Sequence, residues 1–316
     1  MTHQTILVTG ATGLLGRHVV PLLEQRFSDR TIMAVGSEAG DLSRLDHALG
    51  LIRDTRPDCI VHLAAYGGGQ EFNRAWTADC LFQNASMTLN LYEAASQNGV
   101  KKIVYPVSFD SYPARCLSPV AESQLWAGYN PANYAGHAIG KRLGAAAADV
   151  YRYQYGMDSA VLILGELYGE QDNFRAQETA TVASIIRCMT EAERSGLRKI
   201  SLPASDDVLY DLAYAGDVAA LIPWFIDNDS PRPVNVSQGV GYSVSDIIEA
   251  VREATGYRVE VDLTEPSVDA LSPHLMNVSA LAELGLSCPT PLKTGIKRTV
   301  QWYLNNLDAP KHGFRA

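Results

Sequence analysis

The sequence has few cysteines, and none of them stands in a Cys-x-x-Cys spacing. The five cysteines are Cys59, Cys80, Cys116, Cys188 and Cys288. An odd number without paired spacing argues against a disulfide framework and against a zinc site. We therefore expect reduced, mostly buried thiols and no bound metal.

Basic side chains and long apolar runs are also scarce. The chain has 26 Lys and Arg against 35 Asp and Glu, which gives a formal charge of −9 and a pI near 5.3. Because nucleic acids and anionic membranes are bound by basic patches, neither is expected as the main partner. The chain begins Met-Thr-His-Gln without a charged leader and has no run of about 18 apolar residues. We expect a cytoplasmic protein.

Apolar runs with β-sheet character alternate with helical segments through the first two thirds of the chain. Strands are predicted at Ile6–Val8, Thr31–Val35, Cys59–Leu63, Ile103–Val107 and Ala160–Ile163. Helices are predicted at Arg17–Arg26, Leu45–Arg56, Thr88–Asn98 and Ala138–Tyr155. Continuously apolar strands separated by helices are typical of a parallel sheet covered on both faces. The prediction is an α/β fold built on a Rossmann-type, doubly wound parallel sheet.

The pattern loosens from about Phe174 onwards. A helix is predicted over Thr179–Ala192, a strand over Lys199–Leu202, and a helix over Val244–Thr255 with Ser243 or Ser245 near its cap. The 316 residues are enough for a nucleotide-binding domain with a smaller companion. We predict an NAD(P)-binding domain over residues 1–173 and a smaller, mixed α/β substrate-binding region over residues 174–316. That region is expected to be interleaved with late returns to the sheet.

The turn between the first strand and the first helix reads Thr-Gly-Ala-Thr-Gly-Leu-Leu-Gly over Thr9–Gly16. Glycines in such a turn let backbone amides approach a pyrophosphate, and the helix N-terminus presents the positive end of its dipole. A tight turn needs glycine even without a ligand, so the order of strand, turn and helix carries the argument. The predicted dinucleotide-binding residues are Gly10, Thr12, Gly13, Leu14, Leu15 and Gly16.

Small residues also follow the third strand, at Leu63, Ala64, Ala65 and Gly67–Gly69. They permit close approach of cofactor and substrate at the carboxyl edge of the sheet. The residues after the second predicted strand do not decide between NAD and NADP. Glu38 lies about twenty residues past the glycines, where an acid binds the ribose 2′-hydroxyl of NAD. Gly36, Ser37 and Arg17 would instead suit the 2′-phosphate of NADP.

Several motifs lie in register with one enzyme family along nearly the whole chain. They are Thr9–Gly16, Pro57–Ala65 with Gly67–Gly69, Asn84, Gly99–Val104, Tyr112–Pro113, Glu122, Gly128, Gln154–Gly156, Leu167–Gly169, Asp172–Phe174 and Gln301–Tyr303. On these residues the chain resembles the extended short-chain dehydrogenase/reductase family, also called the NAD-dependent epimerase/dehydratase family. Within it the chain is most similar to the GDP-L-fucose synthase branch, whose enzymes are 3,5-epimerases and 4-reductases. The resemblance implies a carboxylate near the adenine at Asp41 and Leu42, a ribose contact from Lys141, and NADP(H) as the preferred cofactor.

The resemblance breaks down at the acid–base residues. The family uses a Tyr-x-x-x-Lys pair, but the position four before Lys141 is His137. Either His137 replaces the phenol, since imidazole titrates near neutral pH, or the change has removed catalysis and left a binding protein. The family serine is kept as Ser108, whereas its active cysteine corresponds to Asp110, which is predicted to orient and charge-stabilise His137. Tyr134, on the same helix face, is a fallback acid. The predicted catalytic set is Ser108, Asp110, His137 and Lys141.

A second epimerase residue of the family, a histidine soon after the Asp-Asn-Phe element, has no counterpart. Phe174 is followed here by Arg175–Thr181, which contains no histidine. Without this histidine and the cysteine, the two groups that move protons at the sugar carbons are missing. Fucose-type 3,5-epimerisation is therefore not expected.

The residues expected to hold the substrate have changed as well. Tyr210 stands where the family has an arginine, and Pro266–His274 lacks the family's basic pair. A diphosphate is normally held by arginine or lysine, and Arg187 survives as the one candidate. The substrate is thus a different nucleotide sugar or a molecule without a diphosphate. The predicted substrate-binding residues are Gly68, Asn84, Arg187 and Tyr210.

The sequence predicts an NAD(P)-dependent oxidoreductase that interconverts a hydroxyl and a ketone on a sugar or nucleotide sugar. The alternatives are an atypical epimerase or dehydratase with tightly bound cofactor, and a catalytically silent NAD(P)-binding protein. The resemblance also implies a homodimer with a four-helix interface formed by Thr88–Asn98 and Ala138–Tyr155. The small residues of Leu143–Ala148 suit close packing in that interface, and they suit packing on the sheet equally well.

Overall fold

The computed structural model describes residues 4–130, 132–175, 180–230, 232–264 and 275–307. The strands are β1 Thr5–Thr9, β2 Thr31–Val35, β3 Cys59–His62, β4 Lys102–Ser108, β5 Asp158–Leu164, β6 Glu166–Tyr168, β7 Lys199–Pro203, β8 Tyr210–Tyr214, β9 Val234–Val236, β10 Gly241–Tyr242 and β11 Glu260–Thr264. The helices are α1 Leu14–Arg26, α2 Leu45–Thr55, α3 Gln70–Ala75, α4 Thr77–Gln97, α5 Ala132–Tyr155, α6 Thr181–Arg194, α7 Ala215–Asp227, α8 Val244–Thr255, α9 Ser279–Glu283 and α10 Leu292–Asn305. Within these ranges, no helix has the length and apolarity that a membrane crossing requires.

A parallel sheet of six strands in the order β2-β1-β3-β4-β5-β9 organises the larger part of the fold. Alternate residues of its strands face opposite helical layers. Ile6 and Val8 pack with α1 and α7 on one side, and Leu7 packs with α2, α4 and α5 on the other. Burial on both faces explains the continuous apolar runs of the central strands. The predicted α/β, doubly wound sheet is confirmed.

The strand order places a crevice at the carboxyl ends of β1 and β3. From β1 the chain moves outwards to β2, and it then returns past β1 to add β3, β4 and β5. In open α/β sheets, ligands bind where the order reverses in this way, outside the carboxyl ends of the strands. Three loops meet there, at residues 10–13, 63–69 and 109–113. They contain eight of the site residues predicted from the sequence, which are Gly10, Thr12, Gly13, Leu63, Ala64, Ala65, Gly68 and Asp110.

A second group of elements packs around its own apolar core. It contains a three-stranded sheet, β10-β8-β6, and the parallel pair β11-β7. Helices α6, α8 and α10 cover these strands with buried side chains. Strand β9 lies in the main sheet although it comes late in the chain, and β6 lies in the small sheet although it precedes residue 174. The division into regions at residues 173 and 174 stays a prediction.

Two helices begin earlier than the apolar pattern indicates. Helix α4 begins at Thr77 instead of Thr88, and α5 begins at Ala132 instead of Ala138. In the first turns of α4 the inward position is taken by Asn84, a buried polar residue that interrupts the apolar pattern. The N-terminal part of α5 contains Gly136, which has low helix propensity. Ser243 is the cap of α8, where it forms a capping box with Asp246.

Glycines set the distance between α5 and the elements beneath it. A Cβ added at Gly136 would lie 1.7 Å from the Thr77 carbonyl oxygen, and one at Gly144 would lie 2.1 Å from Cε1 of Tyr105. Gly144 and the alanines at 145, 147 and 148 are buried within the chain. The small-residue run of α5 therefore serves packing on α4 and the sheet, and it gives no support to a dimer interface.

We expect Gly144→Ala to lower the free energy of unfolding by about 1–3 kcal/mol, because the new methyl overlaps the buried Tyr105 ring. Urea denaturation of the purified variant measures the change. Gly50→Ala is the matched control, since nothing lies within 4 Å of its Cβ position inside α2. It should raise the stability by up to about 1 kcal/mol. Equal effects of the two substitutions would refute close packing at Gly144.

Candidate active site

The glycine turn after β1 combines a structural requirement with an open helix end. Gly10 has φ +68°, and a Cβ there would lie 2.4 Å from the backbone nitrogen of Ala64. A Cβ at Gly16 would lie 2.3 Å from the Gly10 carbonyl oxygen. The fold itself thus demands both glycines. At Gly13, by contrast, the nearest atom to a Cβ is 3.4 Å away, so this glycine keeps free space beside the turn.

Helix α1 presents an uncapped N-terminus to this space. Its cap residue, Gly13, offers no side-chain hydrogen bond, and the first turn contains no acidic residue. The first amides of a helix, here those of Leu14, Leu15 and Gly16, have no partner within the helix. The turn therefore fits a pyrophosphate, which would accept these hydrogen bonds at the positive end of the helix dipole.

Two carboxylates flank the end of β2. Glu38 accepts a hydrogen bond from the Gly36 amide at 2.7 Å, and Asp41 accepts from the amide and hydroxyl of Ser43. These hydrogen bonds hold the pKa of both carboxyls below the usual range. Ionised acids here suit a ribose hydroxyl and repel a 2′-phosphate. Leu42, which was predicted beside Asp41, is tied to α4 through its carbonyl oxygen.

The guanidinium of Arg17 bonds other groups than the carboxylates of Glu38 and Asp41. Its Nε donates to the Thr12 carbonyl at 2.7 Å and its Nη1 donates to Gln171 at 3.2 Å. Its guanidinium thus links the glycine turn to the segment after β6.

The loop after β3 is held in place from below. Leu63 donates to the Thr9 carbonyl, which ties the start of this loop to the end of β1. Asn84 accepts from the Tyr66 amide at 2.9 Å and donates to the Tyr66 carbonyl at 2.7 Å, and it is only 1% exposed. The buried Asn84 amide is already bound to the backbone, so its hydrogen bonds do not support the predicted substrate contact, which stays a prediction. Gly68 donates to the Asn73 side chain, and a Cβ there would meet Phe72 at 2.9 Å.

His137 lies against this loop without a hydrogen bond. A Cβ at Gly67 would be 3.0 Å from Cδ2 of His137 and 3.1 Å from its Nε2. Its Nδ1 is buried and has no hydrogen-bond partner in the part of the chain that the structure describes. Burial and the nearby Lys141 ammonium lower the pKa of His137 to about 4. The imidazole is therefore neutral near pH 7.

Lys141 is buried above an aromatic ring. It is 5% exposed, and its Nζ lies 4.5 Å from the centre of the Tyr105 ring. Burial lowers the pKa of Lys141 to about 7. Beneath it, His62 bonds the Thr9 hydroxyl at 2.8 Å, and burial lowers the pKa of His62 to about 3. The sequence analysis missed Tyr105 and His62, whose only signal is a polar group inside a buried strand.

Among the described residues no hydrogen bond joins Asp110 to His137, so the orienting role of Asp110 stays a prediction that these contacts do not support. Asp110 lies in the short 3₁₀ helix Phe109–Ser111 directly after β4, where its amide donates to the Ser108 hydroxyl at 3.3 Å. Burial, and to a smaller extent the charge of Glu166, raise the pKa of Asp110 to about 7, while a hydrogen bond from the Ser108 side chain opposes the shift. The hydrogen bonds of the Asp110 backbone go to the Ser108 hydroxyl and to the Asn130 side chain.

Glu166 was not predicted, although it is the one acid within the otherwise apolar stretch from Ala160 to Leu167. Its Oε1 accepts from the Thr181 amide at the start of α6 at 2.8 Å, and burial raises its pKa. Burial and, to a smaller extent, the charge of Glu166 raise the pKa of Asp172 to about 7. One oxygen of Asp172 accepts from the Asn173 amide, and the other is buried without a partner among the described residues. The site thus contains acids that hold protons near neutral pH.

Tyr210 and Arg187, both predicted to bind substrate, differ in their surroundings. Tyr210 lies beside Glu166, Thr181 and Tyr134, and burial raises its pKa to about 12. Arg187 donates to Glu191 at 2.9 Å, and its Nε is buried without a partner in the described ranges. Much of its charge is therefore already compensated. Pro266–His274 and residues 176–179 lie outside the described residues.

Three comparisons with known proteins agree with this geometry. The model of the family described as "NAD dependent epimerase/dehydratase family" matches residues 6–237. GDP-L-fucose synthase 1 of Arabidopsis thaliana is 28% identical over 306 residues, covering 96% of this chain and 94% of the relative. GDP-L-fucose synthase of Escherichia coli K12 is 27% identical over 319 residues, covering 98% and 99%.

Solved structures of the same fold include two reductases from Campylobacter jejuni. The crystal structure of a GDP-6-OMe-4-keto-L-xylo-heptose reductase superimposes with a TM-score of 0.88 at 21% identity, covering 96% of this chain and 98% of the other. GDP-mannoheptose C4 reductase with NADP bound has a TM-score of 0.83 at 22% identity, covering 95% and 98%. At these identities the likeness shows a shared fold.

Asp110 should make stability depend on pH. Its folded-state pKa of about 7 lies above the ordinary 3.8, so ionisation costs nothing below pH 3.8 and destabilises the fold increasingly up to about pH 7. We expect Asp110→Asn to gain roughly 2–4 kcal/mol over the wild type at pH 8 and much less at pH 5. Urea denaturation at both pH values measures this gain, and Asp29→Asn, at an exposed loop residue, gives the baseline. A gain that does not change with pH would contradict the buried acid.

Proposed function

This chain belongs to the NAD dependent epimerase/dehydratase family, and we propose that it is an NAD(P)-dependent oxidoreductase which interconverts a hydroxyl and a ketone on a nucleotide sugar. One observation carries the proposal: helix α1 begins, without a side-chain cap, directly after β1 at the reversal point of the sheet, and Lys141 is buried over the Tyr105 ring of β4 in the same sheet. In this fold, that point is where a dinucleotide and a second ligand lie side by side.

The chain's residues fit the dinucleotide along its whole length. The amides at the start of α1 would hold the pyrophosphate, Asp41 and Leu42 would lie near the adenine, and Leu63–Ala65 would line the nicotinamide end. When bound, the nicotinamide supplies or accepts a hydride. Lys141 would bind the adjoining ribose, and the Ser108 hydroxyl would hold the reacting oxygen of the substrate.

NADP(H) is the cofactor we propose first. Two solved structures of the same fold are described with NADP bound, and a third was obtained in the presence of NADPH. The Glu38 carboxylate opposes this choice, because it lies at the end of β2 where a 2′-phosphate would approach. NAD(H) therefore stays the alternative, and the two cofactors need to be titrated side by side.

The proposed substrate is a GDP-linked keto sugar. The similar proteins act on such compounds according to their names, which include GDP-L-fucose synthase and GDP-heptose reductases. We assign Arg187 to the diphosphate of the substrate, and Tyr210 would pack against the sugar. Reduction without 3,5-epimerisation fits the loss of the family's cysteine and histidine.

His137 is present mainly as a base near neutral pH. A neutral imidazole can accept the proton that a hydroxyl loses on oxidation, whereas the effective proton donor to a ketone oxygen is the imidazolium form. With a pKa of about 4, His137 is almost entirely neutral at pH 7. Its predicted role as proton donor in the reduction is therefore not supported by its surroundings.

A homodimer is the proposed assembly, and the cytoplasm is the proposed location. Helices α4 and α5 lie side by side and expose large apolar side chains. The exposed side chains are Leu81, Phe82 and Leu89 on α4 and Val150, Tyr153 and Tyr155 on α5. Exposed apolar groups on adjacent helices are typical of an association surface. This surface is distinct from the small residues of α5, which face inwards.

The function is tested with purified protein, NADPH or NADH, and a panel of GDP-linked 4-keto sugars. We expect the protein to bind at least one of the two cofactors. With one substrate of the panel, the reduced cofactor should then be oxidised stoichiometrically, which the fall in absorbance at 340 nm measures. Lys141→Gln should weaken cofactor binding and lower kcat by roughly 10²-fold or more, because the ribose contact and its charge are lost. Lys199→Gln, at an exposed lysine of β7, is the matched control.

The outcomes separate the alternatives. Turnover without consumption of free cofactor indicates the epimerase or dehydratase. Tight cofactor binding without turnover on any keto sugar indicates the silent binding protein and refutes the oxidoreductase.

Leu89→Glu should convert the dimer to a monomer, because it places a charge within the exposed apolar face of α4 and α5. Sedimentation equilibrium measures the mass. Leu117→Glu, at a residue 82% exposed elsewhere, should leave the mass unchanged. A wild-type monomer, or a dimer that survives Leu89→Glu, would refute this interface.

A further inference from the structure

We propose that Tyr105 is a positioning residue for Lys141: its ring takes the place of a counter-ion beside the ammonium, and Thr88 and Gly144 hold the ring in that place. The inference rests on the proposed function, because Lys141 is the residue assigned there to the cofactor ribose. It gives a fully buried tyrosine of the central sheet a part in cofactor binding.

The contact between Lys141 and Tyr105 has the geometry of a cation–π interaction. The Lys141 Nζ lies 4.5 Å from the ring centre. An ammonium within about 6 Å of that centre is attracted by the negative face of the ring. Tyr105 is fully buried and Lys141 is 5% exposed, so little water screens this attraction. Burial raises the pKa of Tyr105, so the phenol stays neutral and the ring itself is the group that stabilises the ammonium.

No carboxylate balances the charge of Lys141 among the residues that the structure describes. The titratable groups that the ammonium affects are His62 on β3 and His137 on α5. Burial and Lys141 lower their pKa values to about 3 and about 4, so both are neutral near pH 7. Helix α5 also packs against α3, α4, β4, β5 and the 3₁₀ helix after β4. The acids of these elements are Glu71, Asp79, Glu93, Asp110 and Asp158, and none of them forms an ion pair with Lys141.

Contacts from three elements fix the orientation of the Tyr105 ring. Its hydroxyl shares a hydrogen bond of 2.6 Å with the buried Thr88 hydroxyl of α4. At Gly144 of α5, an added Cβ would lie 2.1 Å from Cε1 of the ring, so the helix backbone approaches the ring edge closely. The centre of the His62 ring lies 5.5 Å from that of Tyr105, and its Nδ1 bonds the Thr9 hydroxyl at 2.8 Å. The ring is thus held from α4, α5 and β3.

The fixed ring in turn restricts Lys141. Lys141 and Gly144 are three residues apart on α5, so they lie on the same side of the helix and contact the same ring. A lysine ammonium on its flexible stem has no fixed geometry of its own. The ring contact places the ammonium before the cofactor arrives, and a group that is already in place loses less freedom on binding.

The test changes the charge distribution of the ring and keeps its shape. Tyr105 is replaced by phenylalanine and by mono-, di- and trifluorinated phenylalanine, because fluorine withdraws electrons from the ring face step by step. The pKa of Lys141 is measured by NMR of isotope-labelled lysine, and its signal is assigned by its loss in Lys141→Gln. We expect Tyr105→Phe to stay near the wild type, and the trifluorinated ring to lower the pKa by roughly one pH unit.

Tyr92 provides the matched control. It is fully buried in the same core, its ring centre lies 6.2 Å from that of Tyr105, and its hydroxyl donates to Ser159 at 3.3 Å. Tyr92→Leu and Tyr105→Leu remove the same atoms, so both should lower the stability to urea. Only Tyr105→Leu should lower the pKa of Lys141. Where Tyr105→Leu does not fold, the fluorinated series decides, because it preserves the packing.

Cofactor binding reports the same change. The ribose contact uses the ammonium, so the affinity for NADP⁺ or NAD⁺ should fall as the pH rises through the pKa of Lys141, which is about 7. The trifluorinated protein should bind about fivefold more weakly than Tyr105→Phe at pH 7 and equally well at pH 5. Calorimetric titration across pH 5–9 measures the affinity, and Tyr105→Phe as the reference removes the titration of the cofactor itself.

The outcomes separate this inference from the proposed function. If fluorination leaves the pKa of Lys141 unchanged, or if Tyr92→Leu lowers it as much as Tyr105→Leu, the positioning role of Tyr105 is refuted and the oxidoreductase stands. If the pKa falls but the affinity for the cofactor keeps its pH profile, the part of the ring in cofactor binding is refuted. If the pKa falls and the protein binds neither cofactor, the proposed function fails while the pairing of Tyr105 with Lys141 stands.

Discussion

Removal of ionisable groups from water is the constraint on which the site depends. Burial lowers the pKa of Lys141 and His137 and raises the pKa of Asp110 and Glu166. Each group is thereby moved towards its neutral form, which lowers the cost of keeping it away from water. The same shifts bring Asp110 and Lys141 close to neutral pH, where proton exchange is most effective.

Exchange of a phenol for an imidazole beside a lysine changes the chemistry more than the geometry. A neighbouring ammonium favours the unprotonated form of both groups. Unprotonated phenol is an anion that is ready to take a proton, and its protonated form is a competent donor near the same pH. Unprotonated imidazole is neutral, and near Lys141 its donor form, the imidazolium, is scarcely populated at pH 7. The exchange therefore leaves the base form of this residue dominant at pH 7 and its donor form rare.

Hydrogen bonds between side chains and backbone groups hold the loops of the site in place. Asn84 holds the loop after β3, Asn130 holds the 3₁₀ helix after β4, and the Thr181 amide holds Glu166. Gly10 allows the first turn to contact the end of β3, where a larger residue would overlap Ala64. Buried polar side chains thus maintain the shape of the crevice. Asn84, predicted from the sequence as a ligand contact, is one of them.

The sequence alone determined the sheet, its helical layers and the turn that fits a pyrophosphate. Those features depend on local signals: apolar runs, the period of the helices, and glycine at positions where no Cβ fits. It also identified Ser108, His137 and Lys141 through a motif in register. Only the tertiary structure decided which groups act on one another. Tyr105 lies beneath Lys141 because α5 packs on β4. Burial and electrostatic neighbours depend on such long-range contacts, so no pattern along the chain could reveal the lowered pKa of Lys141 and His137 or the raised pKa of Asp110.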